Sequence, residues 1–209
     1  MDNKADHLRL QIVVALHDAG HRDLARLMEE TALPLVAQYA KNGDSILYDN
    51  EWLQLRETPD GYVYSHEAKS DGRGVAVLAY RRVDVDVQVV GRYERCPCHF
   101  DGFALTSLTG QIEGDDDPVS TAVRELKEEA GIDAIRSEMK PLGTVRPGKQ
   151  TDTTMWLFAI NVGDRDIGEA VGDGTDGEVG AYCRWVTLTD ASLSKSAVLG
   201  ALILREFFV

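Results

Sequence analysis

The sequence predicts an α/β fold, a sandwich in which a mixed sheet is covered by helices. Segments rich in β-branched residues fill much of the middle of the chain, as in GVAVLAYRR at 74–82 and VDVQVVGRY at 85–93. An amphipathic helical segment at 118–130 interrupts them, and a second helical pattern closes the chain. Strands and helices that alternate in this way pack as layers, with the helices over the sheet.

Size and composition are those of an ordinary globular protein with one main domain. The 209 residues are 44% hydrophobic and 27% charged, and the formal net charge is -13. This acidic excess argues against proteins that coat nucleic acid or dock on anionic membranes, because both tasks require a basic face. No apolar run reaches the roughly 20 residues that span a bilayer, and no signal-peptide pattern is present. Three cysteines are too few for a disulfide framework, so we expect a cytoplasmic protein.

Residues 1–44 are predicted to form an N-terminal helical extension, and residues 45–209 the main domain. Apolar side chains recur at helical spacing at Leu8, Ile12 and Leu16, and a second such segment follows. Two helices could form a DNA-binding helix-turn-helix, but neither has the basic face that such binding requires. A helical hairpin that packs on the main domain or on a second subunit is the better interpretation.

A β-hairpin is predicted at the start of the main domain. The segments 46–57 and 61–68 have strand-like patterns, and the Thr-Pro-Asp-Gly run that separates them is a strong turn signal. Beyond the amphipathic helix, the remaining elements are expected to be strands at 142–145, 155–162 and 179–187 and a final helix at 192–208.

The central helix has clear boundaries and an acidic face. Asp117 can cap it, Pro118 suits its first turn, and Gly131 suits its C-terminal cap. Glu125 and Glu129 lie one turn apart, so their like charges oppose the helix. A bound cation would relieve the repulsion, and carboxylate oxygens are good ligands for Mg²⁺ or Mn²⁺. An acidic helix face by itself is usually only a solvated surface, so the wider spacing of the segment has to decide.

The whole segment GQIEGDDDPVSTAVRELKEEAGI, residues 110–132, resembles the Nudix box. That motif is a glycine, five residues, a glutamate, seven residues, and then Arg-Glu-apolar-any-Glu-Glu-any-Gly-apolar. Gly110 takes the first position, Arg124 and Glu125 stand in the middle, and the residues that follow complete the pattern. The one departure is Asp116, which stands where the family has glutamate. The chain is therefore identified as a member of the Nudix family.

This resemblance implies a Nudix-type α/β/α sandwich whose loop-helix-loop holds divalent metal ions, Mg²⁺ or Mn²⁺. Nudix enzymes mostly hydrolyse a nucleoside diphosphate linked to another moiety. Arg124 is expected to orient the glutamates through ion pairs, and Gly110 is expected in a loop where the backbone approaches the metals closely. The metal ligands that the resemblance implies are Glu125, Glu129, the assisting Glu128, and a backbone carbonyl at Thr109 or Gly110.

A second resemblance narrows the substrate. Pro147 follows Ile132 by fifteen positions in RPGKQTD, as the marker proline of ADP-ribose pyrophosphatases does. The predicted β-hairpin is similar to the extra sheet that those enzymes use for dimerisation and adenine binding. The likeness implies a homodimer that hydrolyses ADP-ribose to AMP and ribose 5-phosphate, with Pro147 near the substrate. Two features depart from it: TSLTG at 106–110 replaces the usual Glu-x-Pro-Ala-Gly, and Asp152 stands in place of a common glutamate.

A general base is expected in a loop near the metals. The best candidate is Glu178, in the Gly-rich acidic segment EAVGDGTDGEVG, and Glu169 is the reserve. Trp52 or Tyr62 can stack on a nucleobase, although aromatic side chains in strands more often serve a core or an interface. Asp152 is a further candidate for substrate contact. The arginines that can pair with phosphate groups are Arg81, Arg82, Arg92 and Arg95.

Two other functions stay open at this point. One is a Nudix hydrolase of another nucleotide, such as a nucleotide sugar, NADH, a dinucleoside polyphosphate or an oxidised nucleotide. The other is a nucleotide-sensing regulator that contacts a partner or DNA through its N-terminal helices. The complete set of Glu125, Glu128 and Glu129 favours hydrolysis, because a sensor has little need for a full metal site.

Overall fold

The computed structural model describes residues 43–98, 102–169 and 180–209. These residues group into two compact units. The smaller unit contains the described residues up to Lys69 together with Gln150–Asp152, and the larger unit contains the rest. Almost all of the predicted helical extension lies outside the described residues, so the domain boundary at residue 44 stays a prediction.

The smaller unit is built on a three-stranded antiparallel sheet in the order β1-β2-β3, which contains the predicted hairpin. Its first strand-like segment divides in two, because the Asn50 side-chain oxygen accepts hydrogen bonds from the amides of Trp52 and Leu53, at 2.9 and 2.7 Å, and so turns the chain. The strands are β1 (Ser45–Asp49), β2 (Leu53–Glu57) and β3 (Val63–Glu67).

The residues 150–152 extend this sheet at its β3 edge. Thr151 forms a parallel bridge with Ser65, and the Ser65 amide donates a hydrogen bond to the Gln150 carbonyl at 2.9 Å. The Asp152 carboxylate lies 2.8 Å from Nδ1 of His66, which is buried. The smaller unit is therefore closed by a segment that is remote from it in sequence.

Strand β2 buries its polar side chains and exposes its apolar ones, which is the reverse of the usual pattern. Gln54 and Arg56 are buried at 3% and 2% exposure, whereas Leu53 and Leu55 keep 40% and 37% of their surface exposed. Because successive side chains of a strand point to opposite faces, the polar residues share one face and the leucines share the other. The three-stranded sheet thus leaves an apolar face in contact with solvent.

The larger unit contains a seven-stranded mixed sheet. Its main order is β10-β5-β4-β9-β8, with β6 paired to β5 and β7 paired to β4. The β4–β9 pair is parallel and the other pairs are antiparallel. The strands are β4 (Arg73–Val83), β5 (Asp86–Arg95), β6 (Phe103–Thr106), β7 (Leu108–Gln111), β8 (Lys140–Val145), β9 (Thr154–Asn161) and β10 (Tyr182–Thr187).

Helices cover both faces of this sheet. They are α1 (Pro118–Ala130), α2 (Leu188–Ser192) and α3 (Ala197–Phe207). Alternate residues of β4 serve the two layers: Val77 belongs to the core under α1 with Leu126, and Leu78 belongs to the core under α3 with Leu202. The mixed sheet between helical layers confirms the predicted α/β sandwich. None of the described helices is long and apolar enough to cross a membrane.

Helix α1 begins and ends where the sequence predicts. The Asp117 carboxylate accepts hydrogen bonds from the amides of Val119 and Ser120 at 3.1 and 3.2 Å, which satisfies two donors that the helix leaves unpaired. Gly131 adopts the left-handed conformation, with a φ of 64°, and ends the helix. A Cβ at Gly131 would also lie 2.6 Å from the carbonyl carbon of Gly168, so only glycine fits.

Two expectations about local structure were wrong. Gly110 lies in β7 rather than in a loop, because it pairs with Val75 of β4, as the preceding Thr109 does with Ala76. The C-terminal helix α3 also begins at Ala197 rather than at residue 192, since the Ser196 hydroxyl caps it by accepting a hydrogen bond from the Leu199 amide at 3.2 Å, and the short helix α2 that precedes it was not predicted.

Candidate active site

Helix α1 carries two buried glutamates on the side that faces β7. Glu125 keeps 8% and Glu129 keeps 4% of its surface exposed, although both belong to a residue type that is rarely buried. The apolar residues Ala122, Leu126 and Ala130 fix this position of the helix, since they are packed in the core beneath it. A carboxylate withdrawn from water requires charged or hydrogen-bonding partners, and both glutamates have them.

Glu129 is held by the sheet. Its Oε1 lies 3.0 Å from Nε of Arg92 on β5, and its Oε2 accepts a hydrogen bond from the Thr109 amide at 2.9 Å. Arg92 itself is buried, with 3% exposure. Nε of Arg92 also lies 3.6 Å from Oε2 of Glu94, whose Oε1 accepts a hydrogen bond from the Thr106 hydroxyl at 3.0 Å. Strands β5, β6 and β7 together position the partners of one carboxylate.

Arg124 links the other two glutamates of the helix. Its guanidinium lies 2.8 Å from Oε1 of Glu125 and donates a hydrogen bond of 2.7 Å to Glu128. These are the ion pairs that the resemblance implies for this arginine. The Arg124 side chain is 42% exposed, so, unlike Arg92, it neutralises its carboxylates from the edge of the site.

Gly110 makes room for the Glu125 carboxylate. A Cβ added at Gly110 would overlap Cδ and Oε1 of Glu125, so the carboxylate lies directly against the glycine backbone. Glycine is required here because any side chain would overlap Glu125. The backbone of Gly110 is not in the left-handed conformation, so conformational freedom is not the reason. Strand β7 and the buried Glu125 carboxylate therefore lie in direct contact at Gly110.

The site carries more negative than positive charge. Four carboxylates, those of Glu94, Glu125, Glu128 and Glu129, face the guanidinium groups of Arg92 and Arg124. Burial raises the pKa of Glu129 to about 8, the charge of Arg92 opposes this rise, and the charge of Glu125 adds to it. An added cation would stabilise the ionised form of this carboxylate.

The match to a family decides what kind of site this is. Residues 71–207, well over half of the chain, match the family model described as a NUDIX domain. The chain belongs to the Nudix family. The prediction of a Nudix pyrophosphohydrolase is confirmed at this level, and the segment 110–132 that resembles the Nudix box lies within the matched residues.

Two solved structures are similar to this chain at low sequence identity. An ADP compounds hydrolase shares 16% identity with a TM-score of 0.53, over 78% of this chain and 88% of that chain. A MutT/nudix family protein from Enterococcus faecalis shares 15% identity with a TM-score of 0.43, over 55% of this chain. The match spans only 43% of that Enterococcus protein. No curated protein sequence matches.

Nudix hydrolases generally use divalent metal ions, and the donor set of this site fits such an ion. Glu125 and Glu129 offer desolvated carboxylate oxygens one turn apart, and hard divalent cations prefer oxygen ligands. Within the described part of the chain, no three acidic, histidine or cysteine side chains form a ready-made cation cluster. In this arrangement the glutamates are paired with arginines, so a cation has to compete for their oxygens.

The structure places the other substrate candidates in separate parts of the molecule. Trp52 and Asp152 belong to the smaller unit, where Trp52 is 48% exposed and Lys69 Nζ lies 5.2 Å from the centre of its ring. Arg95 and Pro147 belong to the larger unit, at the end of β5 and in the loop after β8, and both are exposed. The Arg81 guanidinium lies 2.8 Å from the Asp166 carboxylate.

The two candidates for the general base differ in what the structure shows. Glu178 lies outside the described residues. Glu169 is exposed and follows Gly168, whose amide donates a hydrogen bond of 2.9 Å to the Ala130 carbonyl. Glu169 therefore lies next to a residue that is bonded to the C-terminal end of α1. The bonded helix residue, Ala130, directly follows Glu129 in the sequence.

Sequence reasoning overlooked the ion pair of Arg92 with Glu129 and the role of Glu94 beside it. The sequence makes Arg92 a candidate for binding phosphate, whereas its guanidinium is buried against a carboxylate of α1. One signal in the sequence points to this: Arg92 is two positions from the core residue Val90, so it shares the inward face of β5. A charged residue at an inward position of a strand indicates a buried partner of opposite charge.

Substitution of Gly110 by alanine is expected to weaken metal binding without unfolding the protein. The new methyl group would push the Glu125 carboxylate from its place, and displacement of a ligand or its supports typically weakens metal affinity by about tenfold or more. Titration with Mn²⁺ measures the affinity, and thermal unfolding checks the fold. Gly200→Ala is the control, since nothing lies within 4 Å of a Cβ there. Equal Mn²⁺ affinity in the Gly110→Ala protein and the wild type would contradict the assignment.

Proposed function

We propose that this Nudix protein hydrolyses the pyrophosphate bond of a nucleoside diphosphate linked to another moiety, with ADP-ribose as the substrate and AMP and ribose 5-phosphate as products. The observation that carries the hydrolytic activity is the pair of buried carboxylates, Glu125 and Glu129, held against Gly110 and Thr109. The proposed substrate is supported by the position of Pro147 and by the N-terminal β-hairpin, which forms part of the three-stranded sheet and resembles the extra sheet of ADP-ribose pyrophosphatases. A similarly folded protein bearing the name ADP compounds hydrolase is in keeping with it.

In this proposal Glu125 and Glu129 hold a divalent cation, Mg²⁺ or Mn²⁺. Glu128 assists them, and a backbone carbonyl at Thr109 or Gly110 completes the set. Arg124 orients Glu125 and Glu128 through the two ion pairs that it forms. When bound, the cation supplies positive charge to the phosphate oxygens and lowers the pKa of a water molecule.

Glu178 is the proposed general base, and it accepts a proton from the attacking water. The new P–O bond forms at one phosphorus as the bond from that phosphorus to the bridging oxygen breaks, and the second phosphate leaves with that oxygen. Trp52 is proposed to stack on the adenine, and Arg95 and Arg81 to pair with the phosphates. Arg95 is the more accessible of the two, because Arg81 is paired with Asp166 and stacked on Trp185 at 4.0 Å.

A hydrolysis panel with Mg²⁺ or Mn²⁺ tests this function. It contains ADP-ribose, NADH, nucleotide sugars, diadenosine polyphosphates and nucleoside triphosphates, and the products are separated by chromatography. We expect ADP-ribose to be turned over fastest, and Glu129→Gln to lower turnover by about a hundredfold or more while the fold is kept. Glu206→Gln is the matched control, because Glu206 is also a buried carboxylate beside a cation, Lys140, at 2.9 Å.

Each result of the panel has a distinct meaning. Faster turnover of another compound would support the proposed hydrolytic activity but show that ADP-ribose is not the preferred substrate. No turnover of any compound by the wild type would favour a nucleotide-sensing regulator. Unchanged turnover in the Glu129→Gln protein would refute the proposal that Glu129 is a metal ligand.

Substitution of Glu178 by glutamine is expected to lower kcat while Mn²⁺ affinity stays the same. A general base contributes about 10²- to 10⁴-fold to the rate and does not hold the metal. Glu169→Gln is the matched control, because it removes another carboxylate from the same acidic segment. If Glu169→Gln slows the reaction and Glu178→Gln does not, the two candidates exchange roles.

We further propose a homodimer in which the apolar face of the three-stranded sheet is covered by the second copy. Leu53, Leu55, Tyr48 and Val63 keep 40%, 37%, 56% and 37% of their surface exposed on strands of this sheet. Leu55→Glu is expected to convert the dimer to a monomer in light scattering, because burial of a charge at an interface core is costly. Val85→Glu is the control, since Val85 is 95% exposed in the larger unit. A monomeric wild type at working concentration would refute the proposal.

A further inference from the structure

The ion pair of Arg92 with Glu129 is unusual in how little water reaches it. The side chains retain 4% and 5% of their exposure, and Nε of Arg92 lies 3.0 Å from Oε1 of Glu129. Separating the two charges of such a pair is costly, because each would then be uncompensated in a medium of low dielectric. When Glu129 is ionised, the pair is therefore expected to persist as long as no other cation is present.

Both oxygens of Glu129 already have partners in this arrangement. Oε1 faces Arg92, and Oε2 accepts a hydrogen bond from the Thr109 amide at 2.9 Å. A divalent cation that binds this carboxylate must share Oε1 with Arg92 or Oε2 with the Thr109 amide, or displace one of these partners. The two positive charges would then lie within a few ångströms of each other, where low dielectric strengthens their repulsion.

Arg124 does not create the same competition. Its side chain is 42% exposed, so it can leave Glu125 and Glu128 and enter water. Arg92 is buried beside α1, and the carboxylate of Glu94 at 3.6 Å is a neighbouring acceptor toward which it can shift. The burial of Arg92, and not its charge alone, distinguishes it from the other arginine of the site.

We propose that Arg92 is an internal counter-cation of the metal site: it neutralises Glu129 in the metal-free protein and competes with the divalent cation for that carboxylate. Arg92 is thus a positioning residue that sets metal affinity and does not contact the reacting atoms. This inference rests on the proposed role of Glu129 as a metal ligand. Because the coupling between two groups that bind one carboxylate is reciprocal, the part of the Arg92–Glu129 interaction that the metal displaces is subtracted from metal affinity.

The variant Arg92→Gln separates this role from a merely structural one. Removal of the competing charge is expected to tighten Mn²⁺ binding by about fivefold or more, and to lower the melting temperature of the metal-free protein. Added Mn²⁺ should then raise the melting temperature of the variant more than that of the wild type. An arginine that only supports the site would have the opposite effect, because its loss would disorder Glu129 and weaken metal binding.

The experiment measures Mn²⁺ affinity by the loss of the free-ion signal in electron paramagnetic resonance, on the full chain without substrate. Arg92→Lys keeps the charge and should bind Mn²⁺ nearly as the wild type does. Lys140→Gln is the matched control, because it also removes a cation from a buried carboxylate, Glu206, on the opposite helical layer. Glu129→Gln should lose binding.

Each outcome decides something different. Tighter binding by Arg92→Gln supports the inference, whereas equal or weaker binding in a folded Arg92→Gln protein overturns it and leaves the proposed hydrolysis standing. If Glu129→Gln binds Mn²⁺ as the wild type does, both the metal assignment and this inference fail.

A second measurement covers the case in which Arg92→Gln does not fold. The Nε–H signal of Arg92 in the wild type can be followed by nuclear magnetic resonance and assigned by its loss in Arg92→Lys. Saturation with diamagnetic Mg²⁺ is expected to shift this signal or to speed its exchange with water, as the arginine yields the carboxylate. A signal that is unchanged at saturation would overturn the inference.

Discussion

Two carboxylates are withdrawn from water where helix α1 meets the sheet, and the larger unit is arranged around their neutralisation. Breaking a buried ion pair by removing one partner typically costs about 3–5 kcal/mol, which is a large share of the stability of a small domain. Arg92, the Thr109 amide and Arg124 therefore have to be in place together. They come from β5, β7 and α1, so the site forms only when these elements are packed.

The packing that brings them together is apolar. Leu126 and Ala130 of α1 share a core with Val77 of β4 and Val90 of β5, and this core fixes both the height and the rotation of the helix. Rotation matters because the glutamates occupy the boundary between the buried stripe and the exposed face. Gly110 then sets the distance between the Glu125 carboxylate and β7, since the lack of a side chain lets the carboxylate reach the strand's backbone.

The smaller unit has a polar interior rather than an apolar one. Its buried polar side chains, among them Gln54 and Arg56, bond to one another, with Nε of Arg56 donating to the Gln54 side chain at 2.9 Å. Such a polar interior contributes little hydrophobic stabilisation, and the leucines that could supply it face solvent. The backbone pairing of Ser65 with Gln150–Asp152 adds support from a distant segment of the chain.

Local chemistry made much of this protein predictable from its sequence. Asp117, Pro118 and Gly131 define the ends of α1 through capping and backbone preference, which act within a few residues. The spacing from Gly110 to Ile132 identified the family, and strand alternation located most of the sheet. The start of the C-terminal helix was predicted five residues too early, because the Ser196 hydroxyl caps the helix at Ala197 and the polar residues before it stay outside.

Only the tertiary structure decided which charges meet. Arg92 and Glu129 are far apart in the sequence, and their contact depends on how β5 and α1 pack on the same core. The pairing of Thr109 with β4 and the return of residues 150–152 to β3 are likewise long-range. Burial and partner choice arise from the assembled chain, so a pattern along the sequence names the acidic residues of this site but not the arginine that neutralises them.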